Sequence, residues 1–157
     1  MLEPYGYRRV AFADALKDAA ATMTGWPRHW FDDRKRKDRV IGSIKRGLTP
    51  RKVCIDIGQL GRSYAHDWWV DRVLSRYGRI VIPDVRFPNE ADAIREQGGE
   101  VWRIERPGVE CSGDETETAL DDYAFFSWMI YNDLSWSHLM RRVDERMNET
   151  LENSLGY

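Results

Sequence analysis

Cysteine is nearly missing from this sequence: two residues among 157, Cys54 and Cys111. Neither stands in a CxxC or mixed Cys/His pattern, which excludes a disulfide framework and a cysteine-built zinc site and fits a reducing compartment. Histidine is almost as scarce, and His29, His66 and His138 have no metal-ligand spacing. No run approaches the ~18 consecutive apolar residues of a membrane span, and no apolar leader stands at the N-terminus. The 6 Pro and 12 Gly residues are scattered, without repeat or linker, which excludes collagen-like and low-complexity chains. The expectation is a soluble, cytoplasmic protein with no membrane partner.

Apolar residues make up 42 % of the chain and include 7 Trp, 7 Tyr and 5 Phe, enough to bury a core in one domain spanning 1–157. The net charge of −2 is unevenly placed. Residues 1–52 hold 13 Lys and Arg against 6 Asp and Glu, and residues 53–157 hold 11 against 20. A basic front half suits an anionic ligand such as phosphate, or equally a solvated helix face at Arg34-Lys35-Arg36-Lys37.

Hydrophobic periodicity sets out the elements. Arg8 to Phe12 reads as a short strand, followed by a helix capped by Asp14, with Leu16, Ala19, Ala20 and Met23 on one face and Gly25-Trp26-Pro27 at its end. Thr49 as N-cap and Pro50 in the first turn begin a helix lined by Val53, Ile57 and Leu60, which Gly58 and Gly61 are expected to break. Asp67 caps the next, with Trp69, Val70, Val73, Leu74 and Tyr77 on its apolar face and Gly78 closing it. Arg79 to Pro83 reads as a buried strand, and Asn89 as the cap of a helix from Glu90 to Gln97 stopped by Gly98-Gly99. Glu100 to Glu105 and Ser127 to Tyr131 are further strands. The acidic stretch between them predicts a mobile lid or loop at 105–122. Ser135 caps a last helix with Trp136, Leu139, Met140, Val143 and Met147 along one side. Strands alternating with helices at this spacing predict an α/β fold with a parallel sheet covered on both faces.

Ligands of open parallel sheets bind beyond the carboxyl ends of the strands. Three polar groups fall there: Asp14 with Lys17, the stretch Asp84 to Glu90, and Asn132-Asp133. An Asp directly after an apolar strand can hold a metal-bound water or orient a phosphate-binding group, and Arg86 two residues on can fork onto phosphate. A buried Asp84–Arg86 pair that merely ties off the strand end is the alternative.

The stretch DVRFPNEADAIREQGGEVWRIERPG, from Asp84 to Gly108, closely resembles the deoxynucleoside monophosphate kinases of tailed bacteriophages. FADALK at 12–17, TPRKVCIDIGQLGRSYAHDWWV at 49–70, ETALDDY from Glu117 and NDLSWSHLMRRV from Asn132 are similar to segments of that family in the same order. Together they cover nearly the whole chain. The resemblance implies a three-layer P-loop kinase fold, phosphoryl transfer from ATP to a deoxynucleoside monophosphate, Mg²⁺, and a phage protein working in the host cytoplasm. It further implies that Lys17, Arg62 and Arg86 bind the phosphate, with Asp14 also at the substrate site and Asp84 beside the metal. Trp68 or Trp69 would face the base, although adjacent helical residues cannot face the same way. Asn89 and Glu90 would border the base pocket. Arg103 and Arg106 would sit in a lid, Arg106 joining Asp84 and Arg86 as catalytic groups. Each also admits a structural role: Lys17 as a solvated helix position, Arg62 on the carbonyls of a helix end, Asn89 as a cap, Arg103 and Arg106 as surface charges.

The sequence departs from that family at one point. It contains no GxxxxGK[ST], nor the family's variant ending in Lys-Asp, so the first strand and the phosphate-cradling loop are not in it. A sheet without that middle strand leaves unpaired edges, for which a homodimer or a local rearrangement is expected. Two explanations stay open: a shortened kinase, or a fold kept for nucleotide binding or regulation without transfer. A third, nucleic-acid binding through the basic 28–52 region, ranks last because few aromatic residues interleave with the basic run.

Overall fold

The computed structural model describes residues 3–41, 47–75, 78–109 and 118–155. These fall into two compact units, 8–85 and 86–157 together with 1–7. The strands read from sequence form two pairs, and both are parallel, as expected. They make two separate two-stranded sheets among the described residues, not the single broad sheet that the α/β pattern suggests.

In the unit 8–85, β1 (Arg8–Arg9) pairs with β2 (Ile80–Val81) in the register Arg8 to Ile80 and Arg9 to Val81. Both strands are shorter than the apolar runs predicted. After Val10 donates to the Val81 carbonyl at 3.0 Å, the chain turns directly into α1 (Phe12–Thr24). Its N-cap is Ala11 rather than Asp14. Asp14 stands one turn in, where its carboxylate accepts the Ala11 N–H at 3.2 Å. Gly25, at φ 69°, closes the helix in the left-handed conformation that lets its N–H reach the Ala21 carbonyl. Ala20 packs with Phe31 and Val53 in this unit's core, whereas Met23, expected on the same stripe, is 75 % exposed.

The start of α2 (Pro50–Tyr64) is as read from sequence: the Thr49 hydroxyl accepts the Lys52 N–H at 3.1 Å, and Pro50 occupies a position that needs no donor. Its end is not. The helix runs straight through Gly58 and Gly61, both buried, and Leu60 lies half in solvent. The two glycines admit α3 (Trp68–Leu74). The Trp69 indole N–H donates to the Gly58 carbonyl at 3.2 Å, and a Cβ on Gly61 would lie 2.6 Å from Trp69 Nε1. Trp69, Val70 and Val73 are the buried face of α3. Tyr77, expected on that face, is outside the described residues.

In the other unit, α4 (Pro88–Glu96) begins two residues earlier than predicted, with Phe87 as N-cap and Pro88 at the first position, so Asn89 lies inside the helix and does not cap it. Strands β3 (Trp102–Glu105) and β4 (Trp128–Tyr131) run parallel with Trp102 opposite Trp128, their rings edge to face at 5.4 Å. The long helix α5 (Trp136–Leu155) is capped by Ser135, whose hydroxyl accepts the His138 N–H at 3.3 Å. Leu139, Val143 and Met147 bury against Ile130 with Tyr5, Tyr7, Trp102 and Trp128 packed around them, each large aliphatic contributing about 1.5–3 kcal/mol. Trp136, placed on that stripe from sequence, is instead 66 % exposed. The predicted lid at 105–122 is described only at its two ends. No helix among the described residues is long and apolar enough to cross a membrane.

Gly61→Ala should therefore destabilise the protein by about 1–3 kcal/mol, because the new methyl meets the rigid indole. Urea unfolding should show the loss, and a smaller one in a Trp69→Phe background, where the shorter ring leaves room.

Candidate functional site

Asp84 follows β2 and turns its carboxylate onto the first turn of α1. One oxygen accepts the Phe12 N–H at 3.0 Å, the other the Ala13 N–H at 2.9 Å. These are donors that a helix N-terminus leaves without intrahelical partners, and the negative charge meets the positive end of the helix dipole. The site expected to hold a cation is thus turned toward partial positive charge, and both its oxygens are engaged. Among the described residues no three His, Cys, Asp or Glu side chains gather as a metal-ligand set. The donor set does not fit a directly bound magnesium ion at Asp84.

Along the exposed side of α1, Asp14, Lys17 and Asp18 are spaced to share a face. Arg28, on the 3-10 turn Arg28–Phe31, is the hub of that face. Its guanidinium donates to Asp14 at 3.2 Å, to Asp18 at 2.6 Å and to Asp32. Lys17 donates to the other Asp32 oxygen at 2.8 Å, and Arg9 stands 3.6 Å from Asp14. Three cations thus meet three carboxylates, and the local charge cancels. Partial burial works against ionisation of Asp32, but Lys17 and Arg28 outweigh it and hold the carboxyl below its ordinary range. Arg28 is pushed higher still: burial opposes its charge, and Asp18 and Asp32 more than compensate. Burial also raises the Cys54 thiol, leaving it protonated and a poor nucleophile at neutral pH.

The sequence-derived candidates divide by unit. Asp14, Lys17, Arg62, Trp68, Trp69 and Asp84 belong to 8–85; Arg86, Asn89, Glu90, Arg103 and Arg106 belong to the other. Arg62 lies exposed on α2, its guanidinium beside Gly58. Trp69 is core. Trp68 is the surface member of the pair, 38 % exposed, with Tyr64 at 6.1 Å and the Arg72 guanidinium 5.3 Å over its ring. Glu90 accepts the backbone N–H groups of Arg86 at 2.7 Å and Phe87 at 3.1 Å, so its carboxylate fixes the loop that carries the exposed Arg86 side chain. Arg103 is closely held: it donates to Glu105 at 2.7 Å, to the Leu120 carbonyl at 2.9 Å and to Asp121 at 2.9 Å, with Phe126 under its guanidinium. Burial works against that charge, but Asp121 and Glu105 raise its affinity for the proton. Arg106 is exposed just past β3.

Sequence reasoning missed the Arg28 hub. Its signal was present in the four-residue spacing of Arg28 and Asp32 and in the Asp14/Asp18 face, of which only Asp14 was singled out, as a cap and a substrate-site residue. The Asp84 contacts with residues 12 and 13 span more than 70 positions and left no local signal.

No protein-family model matches the chain. It is distantly homologous to a protein of Acanthamoeba polyphaga mimivirus named "Putative deoxynucleotide monophosphate kinase": 28 % identity over 134 aligned residues, covering 74 % of this chain and 68 % of that protein.

Replacing Asp84 by Asn should cost about 1–3 kcal/mol, since the amide oxygen can accept only one of the two N–H groups well and the other faces a donor. Chemical denaturation followed by circular dichroism measures it. Asp32 makes a separate, pH-dependent contribution. Because its folded value is lowered, its stabilisation is fully present above the ordinary carboxylate value near ~4 and is lost as pH falls through the folded value. The melting deficit of Asp32→Asn should stay constant between about pH 6 and 8 and shrink below about pH 4.

Proposed function

We propose that the chain is a nucleotide-binding relative of the deoxynucleoside monophosphate kinases, with a deoxynucleoside monophosphate as its ligand, ATP as the phosphoryl donor and a fold of the P-loop kinase type. The observation that carries this reading is the distant homology to the mimivirus protein over 74 % of the chain. Phosphoryl transfer depends mainly on positioning and on positive charge around the phosphates, which an Arg and Lys set is suited to supply.

In this reading Arg86 is the main phosphate ligand. Its backbone is held by Glu90 and by the Pro88 start of α4, which supports delivery of the guanidinium at a fixed point. Within the same unit, Asn89 is the candidate for the base and Arg103 with Arg106 for the transferring group. In the unit 8–85, Lys17, once it exchanges Asp32 for phosphate, and Arg62 are the candidate cations, and Trp68 is the candidate ring. Trp69, whose ring is buried under Gly58 and Gly61, supports the helix that carries Trp68.

A second reading, binding without transfer, is favoured by the lack of a GxxxxGK[ST] segment in the sequence. ADP release with ATP and each deoxynucleoside monophosphate, run beside calorimetry with the monophosphate alone, separates the two. Turnover supports the kinase, binding without turnover supports the second reading, and no binding removes both. Arg86→Ala should weaken the monophosphate by about 10- to 150-fold, the range for a charged hydrogen bond. Arg86→Lys should restore only part, since an ammonium lacks the planar fork. Wild-type affinity in a folded Arg86→Ala variant would place the phosphate elsewhere.

A further inference from the structure

The strongest unassigned feature is a basic, aromatic-walled cavity in the unit 8–85. It has a volume of about 290 Å³ and is lined by Trp30, Arg36, Arg39, Val40 and Ile41. In sequence order the basic run 34–39 contains no aromatic residue, but the fold supplies one. Successive turns, from the Asp33 carbonyl to the Arg36 and Lys37 N–H groups and from the Arg36 carbonyl to the Arg39 N–H, bring the run back so that the Arg36 guanidinium lies 5.1 Å over the Trp30 ring. The segment is pinned from both sides, by Arg51 N–H on the Lys37 carbonyl at 2.9 Å and by Ile41 N–H on the Leu48 carbonyl at 3.0 Å. Trp30 itself rests on Trp26 at 6.4 Å. The cavity is open to solvent and bordered by the Trp30 ring, by Val40 and Ile41, and by Arg36 and Arg39.

The charge here differs from that around Arg28, where every cation has a carboxylate. Residues 34–39 carry five cations and one carboxylate, Asp38, which Arg51 already engages. Among the described residues Arg34, Lys35 and Arg39 form no ion pair, and all three are exposed.

We propose that this face binds single-stranded nucleic acid, with one base in the cavity against Trp30 and the neighbouring phosphates on Arg34, Lys35 and Arg39. The volume lies at the low end for a small-molecule site, room for a flat ring but little more. Arg39 lines the cavity while Arg34 and Lys35 lie outside it along the chain, so the ligand they fit continues past the cavity as a strand does. A duplex keeps its base faces stacked and would leave Trp30 unused; a single strand offers base faces and phosphates together.

Fluorescence anisotropy with a labelled oligothymidylate of roughly 16 nucleotides tests this, against calorimetry with dTMP in the Arg86→Ala variant, which lacks the monophosphate contact proposed above. That variant should bind the oligomer as wild type does and far more tightly than dTMP, with affinity falling steeply between about 50 and 200 mM salt. Trp30→Leu should weaken the oligomer by about 5- to 150-fold, the range for a lost base stack. The double substitution Arg34→Gln with Lys35→Gln should lower the salt slope by about 1.4, or about 0.7 per phosphate contact on a single strand. Equal affinity for dTMP, no salt-dependent binding, or an unchanged slope in the double variant would overturn the proposal, as would a folded Trp30→Leu that binds like wild type. If Trp30→Leu fails to fold, the two surface substitutions still decide, since neither residue contributes to the core.

Discussion

The carboxylate of Asp84 joins the end of β2 to the beginning of α1, and the unit 8–85 is organised around that junction. Two backbone N–H groups that no helical carbonyl can reach are satisfied by a residue from the far end of the same unit. With only two paired residues in each strand, β1 and β2 hold each other weakly; the carboxylate adds a charged, two-point connection where the sheet has little to offer. The early turn into α1 and the burial of Val10, Ala11 and Phe12 follow from it. A carboxylate used in this way sets geometry for its neighbours and leaves the chemistry to them.

Helix packing in the same unit rests on the absence of two side chains. Gly58 and Gly61 cost α2 some intrinsic stability, since glycine in a helix interior is unfavourable by about 1 kcal/mol relative to alanine. What they permit is close approach: Trp69 lies on the α2 backbone and donates its indole N–H to a carbonyl there. The other unit solves its packing differently, with large rings. Trp102 and Trp128 face each other across β3 and β4, and the aliphatic stripe of α5 closes over Ile130 beside them. Arg146 links this helix to Glu100 at 3.2 Å, and the Tyr5 hydroxyl reaches Asp144 at 2.9 Å.

Charge is distributed with equal economy of contact. Around Arg28 opposite charges are matched one to one, which favours order over attraction for an incoming anion. At residues 34–39 they are not matched, and the excess positive charge lies beside an aromatic ring. Net charge over the basic front half therefore describes neither region. Where each cation finds its carboxylate decides which part of the surface remains attractive to phosphate.

Local chemistry was legible in the residue order. The Thr49-Pro50 start of α2, the Gly25 stop of α1 and the Ser135 cap of α5 follow from propensities that act over a few residues, and the parallel sense of the strands follows from their alternation with helices. The apolar faces of α3 and α5 were largely legible for the same reason, through periodicity. Long-range contacts were decided only by the tertiary structure. Asp84 as a clamp on α1, Gly61 as the floor under an indole, Glu90 rather than Asn89 ordering the start of α4, and Trp30 beneath Arg36 each depend on a partner brought near by folding, or on which of several equivalent polar groups reaches a free N–H first. A residue's type states what it can donate, accept or bury, and the sequence by itself carried that much. Its partner is chosen in three dimensions, where hydrogen bonds act over about 3 Å and one misplaced methyl is enough to exclude a ring.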